Sequence, residues 1–286
     1  CINVAMIAEL DRTPLSELRA RALEVRARRG DTAARALLEE RRKAKPETPD
    51  SWESATALAR LGDAAGAATL AAAVRDATGS RRVSALGAFR DVPASPAVVE
   101  ALALALKDGD DMVRDAAADA ATGRSSPDLV GPLREVVKSA RFSAPLRAAV
   151  ALMRMGDDTG RPLVDAALAA PLADGRIMAA RAYVGRKEVA WVARVEPLLS
   201  DANLLYRVFA AEVLLPVRGT EALQALEPIL ADENPVLRAE ATRVAGLAPA
   251  PPVAALRAAL GDANPWVRFH AAVALMKPSA PPTRAR

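Results

Sequence analysis

The stretch from Leu256 to Met276, LRAALGDANPWVRFHAAVALM, decides the fold. Leu256 and Leu260 belong to an apolar helix that Gly261 stops. Asp262 turns the chain, Asn264 is a good N-cap, and Pro265 stands where a first helical residue needs no donor. Val267, Arg268, Ala271, Ala272 and Leu275 then put small and apolar groups on one face of a second helix. With Arg268 as reference, equivalent positions recur at Arg238, Arg207, Arg176, Arg147, Arg114, Arg82, Trp52 and Arg19, at intervals of 29 to 33 residues. Three residues after each reference stand Ala22, Ala55, Ala85, Ala117, Val150, Ala179, Ala210, Ala241 and Ala271, small side chains that let a neighbouring helix approach. The period predicts stacked helical hairpins, each completed only by its neighbours.

Six residues before the reference, Asp76, Asp108, Asp201, Asp232 and Asp262 recur in the turn. Asp favours turns and Arg favours helices, so each alone is ordinary; their fixed spacing is a structural device. The whole pattern, L-x-x-A-L-x-D-x-x-x-x-V-R-x-x-A-A-x-A-L, resembles the HEAT-repeat family, and its short period resembles the bilin-lyase-like subgroup. The resemblance covers nearly the entire chain. It implies an all-α, right-handed α-solenoid of eight to nine antiparallel helix pairs, in which turn Asp and helix Arg form a ladder along the stack. Asp201, Arg207, Asp232, Arg238, Asp262 and Arg268 match that ladder best. Trp52 replaces one Arg, Arg141 stands where Arg147 would need an Asp, and Asp174 lies only two residues before Arg176. The ladder should fail at those three places.

Composition agrees with a quasi-one-dimensional stack. Of 286 residues 51% are hydrophobic but only 3% aromatic, which suits many small contacts lined by Ala more than one large core. We expect one repeat domain over residues 1–277 and a disordered Pro-rich tail over 278–286, since Pro278, Pro281 and Pro282 cannot continue a helix. The net charge of +4 sits entirely in residues 1–45, and the remainder balances. No run of eighteen apolar residues occurs, so no transmembrane helix is expected. Cys1 is the only cysteine, which excludes an internal disulfide and a Cys-based zinc site. A cytoplasmic location is expected; an envelope lipoprotein anchored at Cys1 is the alternative.

Catalytic constellations are scarce. His270 is the only histidine, so a His-based metal centre, a Ser-His-Asp triad or a Cys-His pair would have to be built on it. The metal-dependent hydroxylase of the HEAT class uses several His-Glu pairs, and this sequence has none. We therefore expect no enzyme activity, no metal and no cofactor. A glycosylase-like alternative would use Trp191, Trp266 and Glu196. A nucleic-acid-binding alternative would use the basic first unit, with Arg12, Arg19, Arg26, Arg28, Arg29, Arg41 and Arg42. The favoured expectation is a scaffold that holds a protein or peptide on its concave face, which in HEAT proteins the second helices line. Aromatic residues concentrate from Phe142 onward. The expected contacts are Phe209, Phe269, Trp266 and His270, with Arg181, Glu212 and Arg243 offering charge of both signs. Mixed charge suits protein better than phosphate.

Overall fold

A computed structural model describes residues 7–10, 13–44, 47–76, 79–139 and 143–276, with the main chain alone at 76. Cys1, Arg12, Arg141, Phe142, the Asp76 side chain and the tail 278–286 lie outside the described residues. Every regular element among the described residues is helical, and they form an α-solenoid of stacked hairpins. The contacts group the chain into two compact units, residues 14–183 and residues 184–286 with 1–13. A weakly helical stretch precedes residue 204. The helix expected over 175–186 ends at Ala180, and that expected over 188–199 is a four-residue helix followed by a 3-10 segment. Pro197, which has no N–H to donate, falls inside it.

The unit 14–183 holds α1 (Ser16–Arg28), α2 (Thr32–Arg42), α3 (Pro49–Arg60), α4 (Ala64–Asp76), α5 (Ser80–Phe89), α6 (Pro96–Ala105), α7 (Asp111–Ala121), α8 (Pro127–Lys138), α9 (Ala144–Arg154), α10 (Arg161–Ala169) and α11 (Ala173–Ala180). Pairs α2/α3, α4/α5, α6/α7, α8/α9 and α10/α11 are the hairpins, and α5, α7, α9 and α11 pack in succession as the second helices. Local chemistry sets the boundaries. Asp31 accepts from Ala34 N–H at 2.9 Å to start α2, and Thr48 and Ser51 exchange a reciprocal capping box at α3. Pro49, Pro96 and Pro127 each sit in a first turn. The helix expected from Pro14 starts at Ser16, with Leu15 at its N-cap position.

The second unit, over residues 184–276, holds α12 (Val192–Val195), α13 (Leu204–Leu214), α14 (Gly219–Leu226), α15 (Pro235–Ala245), α16 (Val253–Ala259) and α17 (Pro265–Leu275). Its first helices are short: Pro228 converts the end of the helix expected over 219–231 into a 3-10 turn, Ile229–Ala231. Its second helices α13, α15 and α17 are each eleven residues long and pack in succession.

The small-residue register is the packing surface. All nine residues three past the reference, from Ala22 to Ala271, are fully buried. First helices come equally close at Gly66, where a Cβ would stand 2.7 Å from both Ala55 O and Ala59 N, and at Gly160, 2.5 Å from Ala149 Cα. Close approach of the helices shapes this core, and leucines such as Leu58, Leu70 and Leu102 fill it.

Candidate interaction surface

The turn entering each second helix in the second unit is built from one motif. Asp201, Asp232 and Asp262 each accept, through Oδ1, the N–H of the Asn two residues on, at 2.8, 2.8 and 2.7 Å. Asn203, Asn234 and Asn264 in turn accept the N–H of Leu205, Val236 and Trp266 at 3.0, 2.9 and 2.9 Å, capping the helices. The reference arginines close the turn from the far side. Arg207 donates to the Asp201 carbonyl, Arg238 to that of Asp232 at 2.8 Å, and Arg268 to that of Asp262 at 2.7 Å. Arg238 also reaches the next hairpin, donating Nε and Nη2 to the two carboxylate oxygens of Asp262 at 2.8 and 2.9 Å. In the first unit Arg82 pairs in the same sense with Asp108.

Where the sequence breaks the pattern, other contacts take over. The Arg81 guanidinium lies 4.6 Å over the Trp52 ring. Arg147 turns back to Asp115 at 3.0 Å and to Asp119, both on α7. Arg176 donates to the Pro171 carbonyl at 3.3 Å.

These turns fix which residues face outward. Helical geometry puts positions −2, +2 and +5 from the reference on one narrow arc, and positions +1, +3 and +4 elsewhere. On α13 the arc carries Leu205, Phe209 and Glu212; on α15, Val236, Glu240 and Arg243; on α17, Trp266, His270 and Val273. None of these nine residues is buried, and Val236 is 62% exposed. The +1 residues Val208, Ala239 and Phe269 are buried between hairpins. That corrects one expected contact: Phe269, 5% exposed, cannot be an anchor, because position +1 is about 100° from position +2 and still faces a packed neighbour. Phe269 instead props the arc from beneath, edge-on to Trp266 at 5.8 Å and to His270 at 5.5 Å, while Trp266 and His270 stack at 5.9 Å.

The charged residues are already engaged. Arg243 donates to Glu212 on α13 at 2.8 Å and to Glu240 one turn back at 2.9 Å. Burial works against its charge, but the bonds and attraction of the two carboxylates outweigh that and raise its pKa. Arg181 lies in the other unit, where its carbonyl accepts from Arg154 Nη1 at 3.1 Å. Leu205, Val236 and Glu240 escaped the sequence expectations. The signal was present, since Met112, Leu205, Val236 and Trp266 share position −2.

Several residues of the alternatives are engaged elsewhere. Trp191 is in the core and Glu196 holds Arg218 at 2.9 Å, so neither offers the open aromatic wall or free carboxylate of a base-excision site. In the basic first unit Arg19 pairs with Asp50, Arg26 with Asp31 and Arg28 with Glu24. Among the described residues there is no group of three or more His, Cys, Asp or Glu that could hold a metal ion, and no single helix is long and apolar enough to cross a membrane.

The sequence pattern of HEAT repeats matches residues 226–285, the stretch that holds α15 to α17 and their Asp-x-Asn turns. The resemblance drawn from the hairpin at 256–276 is thus met in the region that suggested it. No curated protein matches the sequence. Among solved structures, human deoxyhypusine hydroxylase in complex with glycerol is similar at 20% identity and a TM-score of 0.41, over 86% of this chain and 97% of that one. The Escherichia coli protein YibA is similar at 19% identity and a TM-score of 0.40, over 84% and 95%. Likeness at this level says nothing of what this chain binds.

Proposed function

We propose that the protein is a non-catalytic scaffold whose second unit docks a protein or extended peptide on the arc of α13, α15 and α17. The carrying observation is the run of nine unburied positions on three successive helices, between registers that are buried. Its apolar edge, Leu205, Val236 and Trp266, is repeated once per hairpin by the same capped turn, so the spacing of contacts is built into the backbone. A solenoid offers this kind of long, shallow surface, and a few anchors on it supply most of the affinity. The nucleic-acid alternative would use a first unit in which Arg19 and Arg26 are held by Asp50 and Asp31, and it lacks a repeated row of contacts of this kind.

The test is a display library of extended peptides panned on the full chain. Leu205→Asp with Val236→Asp should abolish binding of the selected peptides while helicity stays unchanged. Val253→Asp, on a first helix of the same unit and 45% exposed in the parent, should leave it intact. Binding that survives the first pair, or is lost with Val253→Asp, overturns the reading.

A further inference from the structure

Arg60, at the end of α3, has fewer acceptors than its guanidinium needs. Its side chain is only 11% exposed, and its Nε is buried without a hydrogen-bond partner among the described residues. Two carboxylates stand near it, each too far to bond: Asp91 is 3.7 Å from Nε and Glu24 is 3.8 Å from Nη1. Glu24 is engaged already, accepting from Arg21 at 3.1 Å and from Arg28 at 2.8 Å. Burial, and then the charge of Arg21, lower the pKa of Arg60, the sign of a cation short of compensation. A buried N–H left dry is costly, and an anionic oxygen at about 2.8 Å would relieve it. Asp91 is a loose occupant of that position. It lies in the turn after α5, is 57% exposed, and reaches Arg21 Nη2 at 3.5 Å as well as Arg60. Ion pairs this long on an exposed side chain contribute little.

The surroundings let Asp91 give way. Buried Arg124 donates to the carbonyls of Phe89 and Val92, on either side of Asp91, so the main chain of the turn is held while the carboxylate can rotate outward. At helical spacing before Asp91, Gly87 and Ser84 are exposed, and a Cβ on Gly87 would meet nothing within 4 Å, so the approach is open. We propose that Arg60 and Arg21 form a site for an oxyanion, a carboxylate or a phosphate of a bound ligand, and that the Asp91 carboxylate fills it until the ligand replaces it. Two guanidinium groups converging on one carboxylate present the planar forks that oxyanions take. The site belongs to the first unit and shares no residue with the docking arc, so the two readings stand or fall separately.

The experiment titrates the full chain with inorganic phosphate, and in a second arm with acetate, by isothermal calorimetry at constant ionic strength. Removing the internal carboxylate by Asp91→Ala should tighten phosphate binding about tenfold, the worth of one charge-assisted bond set free. In that background Arg60→Gln should abolish binding and Arg21→Gln should weaken it by a similar tenfold, with helicity unchanged in circular dichroism. Arg21 is part-exposed, so its variant reports on the site even where Arg60→Gln fails to fold. Acetate that binds with the same dependence on Asp91 assigns the site to carboxylates, and phosphate alone assigns it to phosphoryl groups; either supports the proposal. An Asp91→Ala protein that binds phosphate no better than the parent, or not at all, overturns it. Binding that Arg21→Gln leaves unchanged overturns it as well.

Discussion

Replacing Gly66 by Ala should destabilise the protein, although the same change elsewhere in a helix stabilises it. Ala in place of Gly within a helix ordinarily gains about 0.5 to 1 kcal/mol. At Gly66, on α4, the added Cβ would stand 2.7 Å from two main-chain atoms of α3, Ala55 O and Ala59 N, and 3.0 Å from Leu58 Cβ. Main chain cannot rotate aside as a side-chain end can, so the hairpins must part, and overpacking of this kind costs about 1 to 3 kcal/mol. Gly87 on α5 is the control, because a Cβ there meets nothing within 4 Å. Helix propensity largely cancels between the two variants, so their difference isolates the packing cost. At roughly 2 to 4 °C per kcal/mol for a chain of this order, the two midpoints should separate by about 2 to 12 °C in a thermal melt followed by circular dichroism. Gly87→Ala should melt at or above the parent and Gly66→Ala below it. If both variants melted above the parent by the same amount, close approach of helices would not be what holds the hairpins together.

Three further outcomes follow from named contacts. Arg124 is buried and donates to the carbonyls of Phe89 and Val92, the latter at 2.7 Å, so Arg124→Met leaves both acceptors dry and should cost about 1 to 3 kcal/mol in a urea titration; an unchanged midpoint would show that water replaces it freely. Burial, and then the nearby charge of Glu17, raise the pKa of Glu53 on α3, so the folded state disfavours its ionised form. Glu53→Gln should therefore melt above the parent at pH 7, with the gap closing as pH falls through the raised pKa and the parent carboxyl takes up its proton; a gap independent of pH would contradict the assignment. Asp262 has the opposite sign. The Arg238 bonds hold its pKa below the usual carboxylate value, so its contribution is present at neutral pH and is lost as pH falls from about 3.9 through the lowered value. Asp262→Asn should remove part of the parent's acid sensitivity, and an identical acid midpoint would count against the pairing.

Much of this molecule is legible in one dimension. The small residue three past the reference is buried in all nine units, including the one where Trp52 stands in place of Arg. A residue of that size at a fixed helical phase can do little but meet another helix, so burial follows from the period. The turns are equally local: an Asp or Asn side chain bonds to main chain two residues away whatever surrounds it, which is why Asn264 identified itself as a cap.

The outward face needed three dimensions. Positions +1 and +2 both hold aromatic side chains, Phe269 and Phe209, and composition treats them alike. Only the packing of α15 against α17 decided that +1 is enclosed and +2 is open, because the angle at which neighbouring hairpins cross sets how wide the buried arc is. The same packing brought Glu212 to Arg243, 31 residues apart, and so turned apparently free charges into a bonded ion pair. It also decided how long each helix is. The period runs from Arg19 to Arg268 with little interruption, yet the helix expected over 188–199 is reduced to a four-residue helix and a 3-10 segment around Pro197.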